Sequence, residues 1–304
     1  MNNLKQVIED AERKKIAIGH FNIGNLEQLK AIARAAKKLN VPAIIGVSEG
    51  EREFLGIHHV RDLVNSYNKE HGQADGGFWL FLNADHTRHL EKVKDAAEVG
   101  FDSIIFDGAD LSLEENIRKT KEAVKIVRGI NPDILVEGEL GYIGTASEVF
   151  TELPKGAAIT AENFTKPEDA SRFVNETGVD LFAPAVGNIH GMLAQSSAEG
   201  SKNAPEPRLD IQRIREIRTA VKISLVLHGG SGVSDEDFLA AIEAGISVIH
   251  ISTELRVAWR KGLEESLKEN PNEVAPYKIE AEAVEEMEKI VEEKLKLFNR
   301  KVKF

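Results

Sequence analysis

The chain has 304 residues, 42% of them hydrophobic, and 39 basic against 50 acidic side chains give a formal charge of −11 with no cysteine. An acidic chain without a basic tract is a poor partner for a phosphodiester backbone, and the missing cysteine excludes disulfides, thiolate metal sites and a cysteine nucleophile. Any metal must then be held by His, Asp or Glu.

The first residues show no charged-then-apolar signal pattern, and no apolar run approaches the ~20 residues of a membrane helix, so a cytoplasmic protein is expected. Residues 2–14 read as a short polar helix, followed by an apolar strand over 16–22 that ends in Asn22. Apolar residues at helical spacing mark Leu26 to Leu39, with lysines late, where the helix dipole favours cations. A second strand over 41–48 and a helix over 57–69 lead through the turn-rich 72–77 into a third strand over 78–84. Helix 90–99, closed by Gly100, precedes strand 103–106; a helix with Glu114 and Glu115 in its first turn precedes strand 134–139. The long irregular stretch 141–163 reads as a lid or binding loop. Helix 167–177, strand 180–186, a second irregular stretch over 192–209, helix 211–220, strand 222–228, helix 235–244 and strand 247–251 complete the pattern, and 276–300 forms a terminal helix suited to packing or oligomer contacts.

Continuous apolar strands alternating with amphipathic helices imply a parallel sheet covered on both faces, and about eight such units is the number that closes a barrel. The expected fold is an α/β protein, a single (β/α)8 barrel over 1–304 with a C-terminal helical extension. A doubly wound sheet would carry its glycine-rich turn after an early strand; here Gly229-Gly-Ser-Gly232 follows the seventh, where barrels build phosphate sites, although a flexible turn is the plainer alternative.

Several strands end in chemistry. Leu80-Phe-Leu-Asn-Ala-Asp-His-Thr87 stops in Asp85 and His86, Ile134-Leu-Val-Glu-Gly-Glu139 stops in carboxylates, the sixth strand leads to His190, and the seventh stops in His228. Three imidazoles and a carboxylate from different strand ends suit a catalytic Zn²⁺ site with an open position. Asp85 suits a general acid/base, or a carboxylate that orients a neighbouring histidine.

The motifs Phe21-Asn22, Val47-Ser48, Asp85-His86, Asp107-Gly108, Glu115-Asn116, Val136-Glu-Gly-Glu-Leu-Gly141, Gly187-Asn-Ile-His-Gly191, Leu225-Val-Leu-His-Gly-Gly-Ser-Gly232 and Thr253-Glu-Leu255 together resemble the class II, metal-dependent ketose-bisphosphate aldolases over nearly the whole chain. The resemblance implies His86, His190 and His228 as zinc ligands, Glu139 as a carboxylate for an alternative metal position, and Asp85 as the acid/base for the C4 hydroxyl. It also implies that Asn22, Ser48, Gly191, Ser231 and Thr253 bind the dihydroxyacetone phosphate moiety beside Gly229 and Gly230, with a monovalent cation (Na⁺ or K⁺) near the phosphate.

Departures from the family pattern fall at Asn83, where the family has histidine, and at His250 and Ser252, which stand where the family presents other polar groups to substrate. The loop after Gly144 carries Thr145-Ala-Ser-Glu148 instead of the family's acidic cluster, which makes Glu148, with Glu152 behind it, the expected proton handler at C3. The expected activity is reversible cleavage of a ketose 1,6-bisphosphate by a likewise expected homodimer or larger homo-oligomer. A metal-dependent hydrolase would want an early H-x-H pair, which is absent, and a non-catalytic metabolite-binding relative would have no reason to keep the three histidines with Asp85.

Overall fold

The computed structural model describes residues 3–71, 78–144, 149–150, 161–193 and 209–300. In chain order the elements are α1 (Leu4–Lys14), β1 (Ile18–Asn22), α2 (Leu26–Leu39), β2 (Ala43–Val47), α3 (Glu49–Leu55), α4 (Ile57–His71), β3 (Leu80–Thr87), α5 (Leu90–Val99), β4 (Ser103–Phe106), α6 (Leu113–Ile130) and β5 (Leu135–Leu140). They continue as β6 (Val149–Phe150), α7 (Pro167–Thr177), β7 (Leu181–Pro184), β8 (Met192–Leu193), α8 (Ile211–Val221), β9 (Ser224–Leu227), α9 (Asp235–Ala244), β10 (Ile246–Ile251), α10 (Thr253–Glu269), α11 (Pro276–Ile279) and α12 (Ala281–Phe298). Eight strands close into a barrel in the order β1-β10-β9-β7-β5-β4-β3-β2, every pairing parallel, and β6 pairs with β8 separately. This is the (β/α)8 architecture expected from the alternation of elements.

Side chains alternate along each strand, so every second residue points into the barrel. The lower inward layer is apolar: Ile18, Ile44, Phe81, Leu135, Leu181, Val226 and Val248 form one cluster with Leu4, Ile8 and Ala11 of α1, which closes the floor. One step up the same strands, the inward positions turn polar at His20, Asn83, Glu137, His228 and His250, all buried. A greasy floor under a polar ceiling is the sequence pattern that puts the chemistry at the carboxyl end.

Three differences from the sequence reading have physical causes. Residues 49–55 form a helix, α3, although Arg52 is its only buried residue and no apolar stripe marks it; its signal is a Ser48–Glu51 capping box. α10 also went unread, because the residues it buries are Thr253, Leu255, Gly262 and Ser266, mostly small or polar. The terminal helix begins with the single turn α11 before α12, whose Ala283, Val284, Met287, Val291, Leu295 and Phe298 are buried. α12 packs along α2 and α10, and Phe298 meets the Phe238 ring of α9 at 5.2 Å.

Candidate active site

β3 extends past its expected end and carries both Asp85 and His86. Simple alternation would send His86 away from the interior that Asp85 faces. Its φ of +40° instead places it in the left-handed region, and the register between β3 and β4 shifts between Ala84 and Thr87. The backbone twist brings two consecutive side chains to the same cavity, at a conformational cost for a non-glycine residue.

His86, His190 and His228 converge, with their candidate ligand atoms all within 4.8 Å of one another. His86 commits Nδ1 to Asp107 Oδ2 at 3.0 Å, which leaves Nε2 free. His228 commits Nε2 to Glu137 at 2.7 Å, which leaves Nδ1 buried without a hydrogen-bond partner, as are His190 Nε2 and Glu139 Oε2. His86 and His228 therefore each have one nitrogen fixed by a carboxylate and one left for another partner, the arrangement by which carboxylates orient metal-binding histidines, and His190 offers its unpartnered Nε2 beside them. Glu139 Oε2 lies 3.6 Å from both His86 Nδ1 and His228 Nδ1, and His86, Asp107 and Glu139 form a second convergent group.

The electrostatics favour a cation here. Burial alone would lower the His86 pKa, yet Asp85, Asp107 and Glu139 hold it up at about 10. Burial, reinforced by the charge of Asp107, raises Glu139 to about 7, and burial, reinforced by Asp85, pushes Glu137 up. Burial holds His190 well below the ordinary histidine value. The carboxylates that hold a proton on His86 would equally favour a metal cation in its place, and with that proton displaced the three imidazoles beside Glu139 form a donor set that fits Zn²⁺.

Asp85 is buried and accepts a hydrogen bond from Asn22 Nδ2 at 2.8 Å on Oδ2, while Oδ1 has no hydrogen-bond partner and lies 3.6 Å from His250 Nδ1. Burial opposes its charge, but His86, His20, His228 and the Asn22 bond together lower its pKa below the usual carboxylate range. His20 and His250 face each other across paired strands and stack at 3.5 Å with planes 4° apart, and His250 stacks in turn on His228 at 4.1 Å. Imidazole lone pairs lie in the ring planes, so near-parallel rings cannot aim them at one ion, and His20, Asp85 and His250 form a stack rather than a chelate. Gly46 makes room for it: a Cβ there would stand 2.1 Å from His20 Cε1.

The cavity above these groups has a volume of about 330 Å³ and is lined by residues of several strand ends, Asp85, His86, His190 and His250 among them. Asn22, Ser48, Gly191, Gly229, Ser231, Ser252 and Thr253 also line it, so these expected substrate-binding residues come together. Gly230 donates its N–H to His250 O at 3.0 Å. Gly229, at φ +60°, lies against the Ile189–His190 backbone so closely that a Cβ would sit 2.2 Å from Ile189 O, which seats the β9 turn on the loop after β7 that carries His190. Ser231 Oγ accepts from the N–H groups of Ser252 and Glu254 at the start of α10.

A profile of the family described as "Fructose-bisphosphate aldolase class-II" matches residues 2–303. The chain belongs to the class II fructose-bisphosphate aldolase family. It is thus an aldolase, a carbon–carbon lyase. It is 34% identical over 294 residues to the sulfofructosephosphate aldolase of Alkalicoccus urumqiensis, covering 97% of this chain and 95% of that one. It is also 34% identical over 284 residues to the fructose-bisphosphate aldolase of Geobacillus stearothermophilus, covering 91% and 89%. The crystal structure of the YdjI aldolase from Escherichia coli K12 superposes with a TM-score of 0.78 at 31% identity, covering 98% of this chain and 97% of that one.

The aldolase site includes residues that had no role in the sequence reading. His20, Glu137 and Asp107 were legible in principle: His20 lies two residues before Asn22, Glu137 two before Glu139, and Asp107 directly follows β4, all on inward parity. Glu49, Glu51, Arg52 and Arg256 were not legible, because they depend on α3 and α10, and Arg88, just past β3, enters the site through its ion pair with Asp107. Glu51 gathers this side of the aldolase cavity, accepting from Ser48 N at 2.8 Å, Asn22 Nδ2 at 3.3 Å and Arg256 Nη2 at 2.7 Å. Ser48 itself spends its hydroxyl capping α3. Glu148, Glu152 and Ser147 lie outside the described residues.

Proposed function

We propose that the protein catalyses the reversible aldol cleavage of a ketose 1,6-bisphosphate, fructose 1,6-bisphosphate foremost, to dihydroxyacetone phosphate and an aldehyde such as glyceraldehyde 3-phosphate. The observation that carries the reading is the convergence of the free nitrogens of His86, His190 and His228 beside an ionised, half-satisfied Asp85 at the mouth of the barrel.

His86, His190 and His228 would hold Zn²⁺, with Glu139 serving an alternative position. The ion, when bound, supplies Lewis-acid polarisation of the C2 carbonyl. The Asp85 carboxylate takes the proton of the C4 hydroxyl; the C4–O electrons become the aldehyde carbonyl, the C3–C4 bond breaks, and its electrons pass toward C2 to give the enediolate. Asn22 fixes the Asp85 oxygen that does not take the proton. Gly229, Ser231, Ser252 and Thr253 cradle the C1 phosphate, where the start of the 17-residue α10 adds the positive end of its dipole, while Gly230, expected beside them, gives its N–H to His250 O and does not line the cavity. Gly191 and Ser48 close the sides of the cradle, His250 presents a ring nitrogen to the substrate, and Glu148 handles the C3 proton.

Equal identity to a sulfofructosephosphate aldolase and a fructose-bisphosphate aldolase supports a second reading, in which the far end of the ketose phosphate carries another anionic group. A coupled assay with Zn²⁺ across fructose 1,6-bisphosphate, tagatose 1,6-bisphosphate and a sulfofructose phosphate decides between them. Turnover of fructose 1,6-bisphosphate that chelation abolishes is expected. Turnover that survives exhaustive chelation, or a lysine adduct trapped by borohydride, would refute the metal route.

A further inference from the structure

The φ of +40° at His86 has to be held by something, since a lone imidazole in the left-handed region relaxes unless its surroundings over-determine it. The group best placed to do so is Arg52, one helical turn into α3. Its side chain is buried, and its guanidinium donates from Nη1 to Val47 O at 2.6 Å and to Asp85 O at 3.2 Å, and from Nη2 to Thr87 Oγ1 at 2.9 Å. The last two acceptors belong to the residues on either side of His86. Thr87 Oγ1 in turn donates to Ala84 O at 3.3 Å, at the point where the β3–β4 register shifts. Among the described residues no carboxylate stands within ion-pair distance of Arg52. Burial lowers its pKa, and the more distant charges of Glu49, Asp85, Glu51 and Glu53 oppose that without forming an ion pair, so the guanidinium spends its hydrogen bonds on three acceptors at the ends of β2 and β3. A lysine could not do the same, because its point charge lacks the planar fork that spans two neighbouring residues. α3 is anchored for this task by the Ser48–Glu51 capping box and by the Glu51–Arg256 pair.

We propose that Arg52 is a positioning residue for the tip of β3, holding the Asp85 carbonyl on one side of the strained His86 and the Thr87 hydroxyl on the other so that its imidazole faces the metal position. The proposal rests on the reading of His86 as a metal ligand. Arg52 touches neither substrate nor metal, so its effect should be read first in metal affinity.

The test titrates metal-free protein with Zn²⁺ against a chromophoric chelator, and records the visible absorption of the Co²⁺ form, for the parent, Arg52→Lys, Thr87→Val and His86→Ala, with thermal melts to establish folding. Thr87→Val removes one acceptor of the clamp without disturbing charge, and so covers the case in which Arg52→Lys does not fold. Arg52→Lys should weaken Zn²⁺ binding by about 10- to 100-fold, the usual effect of losing a group that orients a ligand, with an altered Co²⁺ spectrum in a folded protein; Thr87→Val should shift both in the same direction by less. Parent-like affinity and spectrum in the folded variants would overturn the proposal and leave Arg52 a brace for the fold. If His86→Ala itself bound Zn²⁺ like the parent, the ligand reading would fail instead, an outcome that the two clamp variants alone would not produce.

Discussion

At the residue scale, Asp85 and His86 are sequence neighbours with opposite duties. Asp85 keeps the inward parity of β3 and receives Asn22; His86 leaves that parity through a positive φ and is fixed by Asp107. Two substitutions separate the proton transfers on the two sides of the breaking bond. Asp85→Ala should keep Zn²⁺ and lose cleavage by roughly 10²–10⁴-fold, the typical worth of a positioned acid/base. Glu148→Gln should suppress solvent exchange of the dihydroxyacetone phosphate C3 proton far more than it weakens phosphate binding. Zinc loss in Asp85→Ala, measured by metal analysis, would reassign Asp85 to orienting His86. Unchanged exchange in Glu148→Gln would move the C3 role to Glu152.

At the scale of elements, the barrel divides its labour between its two ends. α1 closes the floor with Leu4, Ile8 and Ala11 against the apolar inward layer, and α3 and α10 build the mouth with polar and small residues. Stability and chemistry should therefore separate by mutation. Ile8→Ala, at a side chain 1% exposed, should cost about 2–5 kcal/mol in urea unfolding while leaving turnover per folded molecule near the parent value. A comparable loss of specific activity in the folded variant would mean that floor and mouth are mechanically coupled. The helices also show which elements announce themselves in sequence. α2 and α7 carry caps and apolar stripes, and their limits coincide with those read from spacing. α3 and α10 bury too little apolar surface to leave a stripe.

At the scale of the whole molecule, the three candidate ligands come from the ends of β3, β7 and β9, which lie apart in the sequence and meet only when the ring of strands closes. A metal bound there binds the folded state and not the open chain, so it must stabilise the fold by mass action. Zn²⁺ at 100 times its dissociation constant should add about 2.7 kcal/mol, which for a chain of this size raises the melting temperature by about 4 °C. A scanning-calorimetry trace unmoved by Zn²⁺ or by chelator would count against a metal centre at this mouth.

Periodicity alone determined the number and order of the βα units, hence the barrel, because burying both faces of a parallel sheet forces continuous apolar strands and striped helices into the sequence itself. Strand ends interrupted by Asp85, His86, Glu139 and His228 likewise exposed most of the site, since a polar residue that ends an apolar run is visible without coordinates. The tertiary structure decided the rest. Only closure of the barrel shows that His20 stacks on His250, that Glu137 holds His228, and that Arg52 crosses from α3 to the Asp85 carbonyl and the Thr87 hydroxyl on either side of His86. Such contacts join residues far apart in the chain through rings, carbonyls and a backbone twist, and none of these leaves a period or a motif; their energies exist only once the strands are side by side.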